Sequence, residues 1–437
     1  MQVQTRIRSS AMRVLSSERY LDFLRARARL ARRVRGAAPA VHYFHEVDDP
    51  YSHLAVQKLD QLRDAYPVTF RPHLVSKPGA EYQGSSRHFD HWALRDALSV
   101  AADYGTTFPP RDPAAPAPSA ERLAAANDAL APHLTTPDFA RVATATGEAF
   151  WSGTQPPGGT TGQGPGRRAI AEGNALRQRL GHYLGGMFHF DGEWFWGIDR
   201  IRSLEQRLRA EGYGDDSAAL CVPEPKPANS AGLAAGHVVL EYFPSLRSPY
   251  TAIGHPRVLD LIARSGVTVA VRPVMPMLMR GVPAPRSKQR YIIVDAGREA
   301  RFHGVPFGRI VDPFGEPVKR AFALFPGAVA LGKGMEFVTA YLSAAWAEGV
   351  DITSDDGLRH VAARAALDWT ELLEACEGTD WHSVLDDNLQ RMLAAGLWGV
   401  PSFRVSGGRA AADDAPAYAC WGQDRIWRVA NEIARRA

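Results

Sequence analysis

The sequence predicts an α/β protein in which one domain occurs twice. Two stretches about 200 residues apart each run from a hydrophobic strand through a Pro-Tyr turn into a helix, and each copy closes with Trp-Gly-x-Asp-Arg-Ile. A repeat of this length indicates whole domains, because solenoid units are only about 20 to 50 residues long. The matching segments are VHYFHEVDDPYSHLA (41–55) with FHFDGEWFWGIDRI (188–201), and VVLEYFPSLRSPYTAIG (238–254) with CWGQDRIW (420–427).

Both copies predict the element order β-α-β, several helices, then β-β-α. In the first copy, strands are expected at 41–47 and 68–75 with a helix from Pro50 to about Ala65 between them, an order that implies a parallel pair. A helical insertion, a hairpin and a last helix follow. In the second copy, strands are expected at 237–243, 267–273, 400–405 and 417–421, with helices at 249–265, between about 286 and 395, and up to about Arg435.

These elements divide the chain into four segments. The Pro-rich run CVPEPKPANSAG marks a linker between the copies, and SGTQPPGGTTGQGPGRR (152–168) is expected to be a mobile surface loop within the first copy. We predict a basic N-terminal helix at 1–36, a diverged first domain at 37–212, the linker at 213–236 and an intact second domain at 237–437.

Composition narrows the class of protein. A chain of 437 residues that is 45% hydrophobic and 22% charged is typical of a globular protein. It contains no apolar run long enough for a membrane-spanning helix, and its first 20 residues lack the apolar core of a secretory signal. Three widely separated cysteines without a Cys-x-x-Cys pair argue against a disulfide framework and a built-in dithiol. We therefore expect a cytoplasmic protein.

The positive charge is concentrated in the N-terminal segment, whose net charge is +8, whereas the rest of the chain has a net charge of −4. Residues 1–36 contain ten arginines against Glu18 and Asp22, and apolar residues recur every three or four positions from Leu21 to Val34. This pattern predicts an arginine-faced helix that packs on its own protein, or that contacts an anionic membrane or a protein partner. We favour packing over a nucleic-acid role, and nothing in the sequence indicates an oligomeric state.

Four motifs in the second copy occur in a characteristic order: Ser248-Pro249-Tyr250-Thr251, Arg272-Pro273, Gly399-Val400-Pro401 and Trp421-Gly422-Gln423-Asp424-Arg425. With them the sequence resembles the thioredoxin fold with a helical insertion. Specifically, it resembles the DsbA-like group that includes 2-hydroxychromene-2-carboxylate isomerases and kappa-class glutathione transferases. The resemblance implies two thioredoxin-like domains in tandem, each with a helical insertion.

The resemblance also implies a role for Ser248. Redox members of the superfamily have a cysteine at this position, whose thiolate is stabilised at a helix N-terminus. A serine removes thiol-disulfide exchange, so a disulfide oxidoreductase is disfavoured and the thiol is expected to come from glutathione. Ser248 would donate a hydrogen bond to the thiolate, and the helix dipole would add about 0.3 to 1 kcal/mol. The implied activity is a glutathione-dependent isomerase or transferase acting on a small unsaturated or aromatic organic acid.

Four further residues are expected to hold glutathione. Pro401 is predicted to follow a cis peptide bond, which would leave the backbone of Val400 to pair with the cysteinyl unit. Gln423 and the amides near it would face the carboxylate of the γ-glutamyl end, and Asp424 would face its ammonium. Each feature also has a purely structural interpretation, because Asp424 can be a helix cap and Pro401 a turn residue.

The first copy differs at the corresponding positions. Asp49 stands where the second copy has Ser248, and the sequence comparison sets Phe188 against Pro401. A carboxylate repels a thiolate, so we expect that the first copy does not bind glutathione and instead covers the other half or binds something different. The alternative for the whole chain is a catalytically silent tandem that acts as a binding scaffold.

Other candidate sites are weaker. His88 and His91 at helical spacing have no convincing further ligand, so no metal site is expected. Cys420 is expected to be buried and unreactive. The tryptophans Trp194, Trp196 and Trp421 are expected to fill the space between sheet and last helix.

Overall fold

The computed structural model describes residues 2–83, 86–154, 164–408 and 416–437. Positions 155–163 of the predicted glycine-rich surface loop lie outside these ranges. The chain divides into two compact units. The first unit is Asp22–Pro225 with Pro283–Lys288, and the second unit is Met1–Leu21, Lys226–Val282 and Gln289–Ala437. No helix in the described ranges is both long and apolar enough to span a membrane.

The N-terminal segment forms two helices, α1 (Gln2–Leu15) and α2 (Glu18–Val34), so the prediction of one helix over 1–36 is wrong. The break lies at two serines whose hydroxyls compete for backbone groups. Ser16 Oγ donates to the Met12 carbonyl at 2.8 Å, and Ser17 Oγ accepts from the Tyr20 N–H at 3.3 Å, as a helix cap does.

One arginine face of α2 packs on the first unit. Arg25 pairs with Glu193 at 2.9 Å and Arg32 with Asp191 at 3.0 Å, while Arg29 pairs with Glu211. These acidic side chains are at most 9% exposed. The arginines on this face therefore neutralise acids of the fold itself.

The first unit contains a four-stranded sheet in the order β2-β1-β3-β4. Strands β1 and β2 are parallel, and the other two pairings are antiparallel. The strands are β1 (Ala40–His45), β2 (Thr69–Leu74), β3 (Met187–Phe190) and β4 (Glu193–Trp196). Its helices are α3 (Pro50–Val56), α4 (Leu59–Ala65), α5 (Ala80–Gln83), α6 (Ser86–Val100), α7 (Ala120–Leu130), α8 (Phe139–Ser152), α9 (Pro165–Arg179) and α10 (Ile201–Arg209).

The sheet of the second unit has the corresponding order, β6-β5-β7-β8, with one parallel and two antiparallel pairings. The strands are β5 (Val238–Phe243), β6 (Thr268–Val271), β7 (Ser402–Gly407) and β8 (Tyr418–Trp421). The helices that follow β5 are α11 (Pro249–Ser265), α12 (Arg286–Phe302), α13 (Glu316–Ala330), α14 (Gly334–Ser343), α15 (Asp355–Arg364), α16 (Trp369–Cys376), α17 (Trp381–Ala394) and α18 (Ile426–Arg436).

The core of the second unit shows why residues 238–243 form a strand. Alternate residues of β5, Leu240 and Tyr242, are fully buried and pack with Val258 of α11 and Ile426 of α18. This period of two is the pattern of a strand with one face on the core. A separate cluster of buried residues joins α13 to α17. The predicted α/β class, with two four-stranded domains that each carry a helical insertion, is confirmed.

Candidate functional site

Ser248 is the N-terminal cap of α11. Its backbone is extended, its Oγ accepts a hydrogen bond of 3.1 Å from the Thr251 N–H, and its own N–H donates to the Ser245 carbonyl at 3.1 Å. The Thr251 hydroxyl in turn accepts from the Ser245 N–H at 3.3 Å, which fixes the loop. Because Ser248 Oγ accepts from the backbone, its hydroxyl proton can be donated to another group. The residue is 7% exposed.

The dipeptide Val400–Pro401 lies at the same edge of the sheet as Ser248. Ser402 pairs with Phe243, the last residue of β5, so Pro401 stands next to the loop that leads to Ser248. The peptide bond between Val400 and Pro401 is cis, as the sequence predicts. Within the described ranges, no group pairs with the backbone N–H or carbonyl of Val400.

The turn after β8 brings Gln423 and Asp424 to this edge. The Gly422 N–H donates to the Pro401 carbonyl at 2.8 Å and ties the turn to the start of β7. Gln423 is fully buried, whereas Asp424 is half-buried. The sequence-predicted residues Ser248, Val400, Pro401, Gln423 and Asp424 therefore follow or precede strand ends that meet at one edge.

The side chain of Gln423 makes three hydrogen bonds within the protein. Its Oε1 accepts from Arg257 Nη1 at 2.8 Å, and its Nε2 donates to Glu299 Oε2 at 3.3 Å and to Asp424 Oδ1 at 2.5 Å. These bonds join α11, α12 and the turn. Contact with a ligand through the Gln423 side chain does not fit this packing, so only its backbone N–H is suited to that role. Sequence reasoning missed Arg257 and Glu299, which carry no motif.

A second buried contact joins the first turn of α11 to α12. The Tyr250 hydroxyl donates to Asp295 Oδ2 at 2.9 Å, and Arg298 pairs with Asp295 Oδ1 at 3.0 Å. The same contact occurs in the first unit, where Tyr51 donates to Asp96 Oδ2 at 2.7 Å. The two residues of each pair are 45 positions apart in the sequence. This equal spacing in the two copies is the signal that could have identified the contact.

Strand pairing corrects the comparison of Pro401 with Phe188. In the first unit Tyr43 pairs with Phe188, and in the second unit Tyr242 pairs with Phe403. Two residues earlier, Gly186 takes the position of Pro401. The Gly197 N–H donates to the Gly186 carbonyl at 2.8 Å, as the Gly422 N–H does to the Pro401 carbonyl. The first unit therefore has Gly185–Gly186 in place of Val400–Pro401.

Carboxyl groups take up the space beside these glycines. A Cβ atom on Gly186, whose φ is +62°, would lie 2.8 Å from Asp49 Oδ2, and one on Gly185 would lie 2.5 Å from Glu46 Oε2. Asp49 caps α3 and accepts from the Tyr51 and Ser52 N–H groups at 3.2 and 2.9 Å. Burial raises the pKa of Asp49 to about 6, although the hydrogen bonds from Ser52 and Tyr51 lower it.

The cysteines provide no reactive thiol pair. All three are free, and Cys420 is 2% exposed, which confirms its predicted burial. Burial raises the pKa of Cys221 to about 11 and raises that of Cys376, so neither thiol is ionised near neutral pH. In the part of the chain that is described, no three His, Cys, Asp or Glu residues are grouped as metal ligands would be.

The three tryptophans predicted to fill the core differ in how far they are buried. Trp194 is buried, at 9% exposure, as predicted for a core residue. Trp196 and Trp421 are half-buried, and Trp196 lines a cleft in the first unit. Trp421 lies so close to Gly399 that a Cβ atom there would be 2.0 Å from the indole ring. Only glycine fits at position 399.

The model of the DsbA-like thioredoxin domain family matches residues 239–434. Residues 239–434 therefore form a DsbA-like thioredoxin domain. The match covers both ends of the candidate site, from β5 to α18. No protein with a curated description matches the chain.

Several solved structures are similar to part of this chain at low sequence identity. A 2-hydroxychromene-2-carboxylate isomerase is 17% identical over 45% of this chain and 95% of its own, with a TM-score of 0.36. The cytosolic disulfide reductase DsbM from Pseudomonas aeruginosa is 20% identical over 45% of this chain and 98% of its own, with a TM-score of 0.35. DsbM has also been solved with GSH, at 19% identity over 46% of this chain and 100% of its own and a TM-score of 0.34.

Proposed function

We propose that the DsbA-like domain is a glutathione-dependent isomerase or transferase acting on a small unsaturated or aromatic organic acid. The observation that carries the proposal is Ser248, a serine that caps a 17-residue helix and whose hydroxyl proton can be donated. A hydroxyl at this place cannot form a disulfide, but it can hydrogen-bond to the sulfur of a bound thiolate.

The remaining groups at the edge suit a peptide-like cofactor. The backbone N–H and carbonyl of Val400 can pair with an extended peptide in the manner of an added strand. Asp424 would hold the ammonium of the γ-glutamyl end, and the backbone N–H of Gln423 its carboxylate. Bound glutathione would supply a thiolate nucleophile for reaction at a conjugated double bond, a chemistry that needs no oxidant.

Calorimetric titration of the full chain with glutathione tests this proposal. We expect saturable binding, and we expect ultraviolet titration of the bound thiol to show a thiol pKa below that of free glutathione. Ser248→Ala removes a hydrogen bond to a charged group, worth about 1.5 to 3 kcal/mol, so the pKa of the bound thiol should rise by about one to two units. Ser383→Ala, an exposed serine on α17, is the matched control.

Two results would contradict the proposal. One is the absence of saturable binding at millimolar glutathione. The other is a bound thiol whose pKa is the same in Ser248→Ala as in the unmodified chain.

A second candidate is a catalytically silent protein that binds a partner through its N-terminal helices. It is favoured by apolar side chains that α2 leaves exposed, Phe23 at 60%, Leu30 at 63% and Val34 at 79%. Arginines between them would suit an anionic membrane surface. Co-sedimentation with phosphatidylglycerol vesicles, but not with phosphatidylcholine vesicles, and its loss in Phe23→Ser would support this function. Vesicle binding that Phe23→Ser leaves unchanged would exclude this helix as the contact.

A further inference from the structure

A cleft in the first unit is lined by carboxyl groups at the place where a thioredoxin-like domain has its active position. Glu46, Asp48 and Asp49 follow β1, and Asp90 faces them from α6. Lys77, after β2, lies 3.4 Å from Asp48 and 3.0 Å from Asp90 and so balances these two acids. Glu46 and Asp49 are left without a cation in ion-pair contact among the described residues.

Glu46 is the most informative of these groups. Its side chain lines the cleft although the residue is only 4% exposed, and within the described ranges its carboxyl group makes no hydrogen bond and no ion pair. An ionised carboxylate buried without a partner costs several kcal/mol, so folded proteins pair such groups, keep them protonated or use them to bind a ligand. Glu46 is therefore a buried acceptor that is open only toward the cleft.

The two glycines beside the carboxyl groups make this arrangement possible. Gly185 lines the cleft, and any side chain there would overlap Glu46, since a Cβ atom would lie 2.3 Å from Glu46 Cβ. Gly186 likewise allows Asp49 to approach the backbone. In the second unit, Val400 and Pro401 take up these positions, and Ser245 and Ser248 replace the two acids. The acids and the glycines therefore differ together between the units.

The other walls of the cleft are apolar. Phe89, Ala93, Leu184 and Trp196 line it. Aromatic faces attract an organic cation, and apolar walls suit the methylene groups that carry it. An inorganic divalent cation is less suited, because no three acids or histidines among the described residues are grouped as metal ligands.

We propose that this cleft binds a small alkylammonium ion, whose ammonium group is held between Glu46 and Asp49 while its carbon chain contacts Phe89 and Trp196. The ligand supplies the positive charge that the two acids lack. The site is separate from the proposed glutathione site, so each proposal can fail without the other.

Protonation should be linked to this binding. Burial is the largest cause that raises the pKa of Glu46, followed by Asp48 and Asp49, while Lys77 and Arg177 oppose it. Burial likewise raises the pKa of Asp49 to about 6. An ammonium ion favours the ionised carboxylates, so binding should release protons and weaken as the pH falls. The charged groups that face Glu46 across the cleft and from the neighbouring elements are Asp48, Asp49, Lys77, Asp90 and Arg177.

Calorimetric titration of the full chain with n-butylammonium chloride at pH 8 tests the proposal, with n-butanol as the uncharged control. We expect saturable binding of the ammonium only. Affinity should fall at least tenfold in Glu46→Gln and should be unchanged in Glu148→Gln, an exposed acid on α8. Titrations at pH 6 in buffers of different ionisation enthalpy should show that protons are released.

A thermal unfolding midpoint that is unchanged or higher would show that Glu46→Gln is folded, and Asp49→Asn, with the same expected loss of affinity, serves as the second variant. The proposal is overturned if n-butylammonium does not bind saturably at millimolar concentration, or if both variants bind it as the unmodified chain does. Displacement of the probe by equimolar magnesium chloride would overturn the assignment to an organic cation.

Discussion

The Tyr250 hydroxyl lies 2.9 Å from Asp295 Oδ2 and joins the first turn of the helix that Ser248 caps to the inserted helix α12. Asp295 is 1% exposed, and Arg298 holds its other oxygen. Because two hydrogen-bonded groups satisfy this buried carboxylate, the start of α11 is fixed against α12. The Tyr51 and Asp96 pair does the same in the first unit, beside the acidic cleft.

Tyr250→Phe should lower the free energy of unfolding by about 1 to 3 kcal/mol, because it leaves one oxygen of a buried carboxylate without its donor. Tyr51→Phe should cost a similar amount, since it breaks the matching bond. Urea unfolding followed by tryptophan fluorescence measures both. Tyr20→Phe is the control, as the Tyr20 hydroxyl has no partner in the described ranges. Losses equal to that of the control would show that neither bond stabilises the fold.

The sequence was sufficient for the fold because its signals are local. A Pro-Tyr turn after a hydrophobic strand and a Trp-Gly-x-Asp-Arg turn before the last helix each depend on neighbouring residues. They indicated the order of elements along the chain in both units. The cis bond at Pro401 was expected at the Gly-Val-Pro motif that carries the family resemblance, and the structure has it. The predicted site residues at the strand ends share one edge because the topology requires it.

The sequence was insufficient where residues far apart in the chain must meet. Setting Phe188 against Pro401 was wrong by two residues, because one strand does not reveal its register and only the pairing with Tyr43 places Gly186 correctly. Similarly, the partners of Gln423 are a helix residue 166 positions away and another 124 positions away. No spacing rule connects residues that approach only after the insertion has folded.

Gly399→Ala should destabilise the second unit by about 1 to 3 kcal/mol, the usual cost of an overpacked core. Its new methyl group would fall within 2.0 Å of the Trp421 ring, so either the ring or the Val400–Pro401 segment must shift. Thermal unfolding measures the cost. Gly236→Ala is the control, because the nearest atom to its Cβ is 3.9 Å away. An unchanged midpoint in Gly399→Ala would contradict the close contact.

Arg32→Ala should cost about 1 to 3 kcal/mol, because Asp191, with its side chain 9% exposed, then loses the guanidinium that lies 3.0 Å away. Arg33→Ala, an exposed neighbour on α2, should change the stability by less than about 0.5 kcal/mol. Urea unfolding of the two variants distinguishes a helix that packs on the protein from one that only carries charge. Equal effects would show that the pair with Asp191 adds no stability.

Asp49 should make stability depend on pH in the opposite sense to an ordinary ion-paired carboxylate. Its pKa is raised from 3.8 to about 6, chiefly by burial, so the folded chain holds this proton more tightly than the unfolded chain. The contribution of Asp49 to stability is therefore highest below about pH 4 and is lost as the pH rises through about 6, by an amount of the order of 1 to 3 kcal/mol. Burial also raises the pKa values of Glu46 and Asp48, so these two groups act in the same sense, whereas Lys77 opposes both shifts.

Asp49→Asn removes the titration while its amide oxygen still accepts from the backbone at the start of α3. The variant should therefore be more stable than the unmodified chain at pH 7.5 and not at pH 4. Asp216 is an exposed acid of the same unit, so Asp216→Asn should differ from the unmodified chain by the same small amount at both pH values. Midpoints of thermal unfolding measured across this range decide the question. If Asp49→Asn is less stable than the unmodified chain at every pH, then the carboxylate of Asp49 stabilises the cap by more than its burial costs.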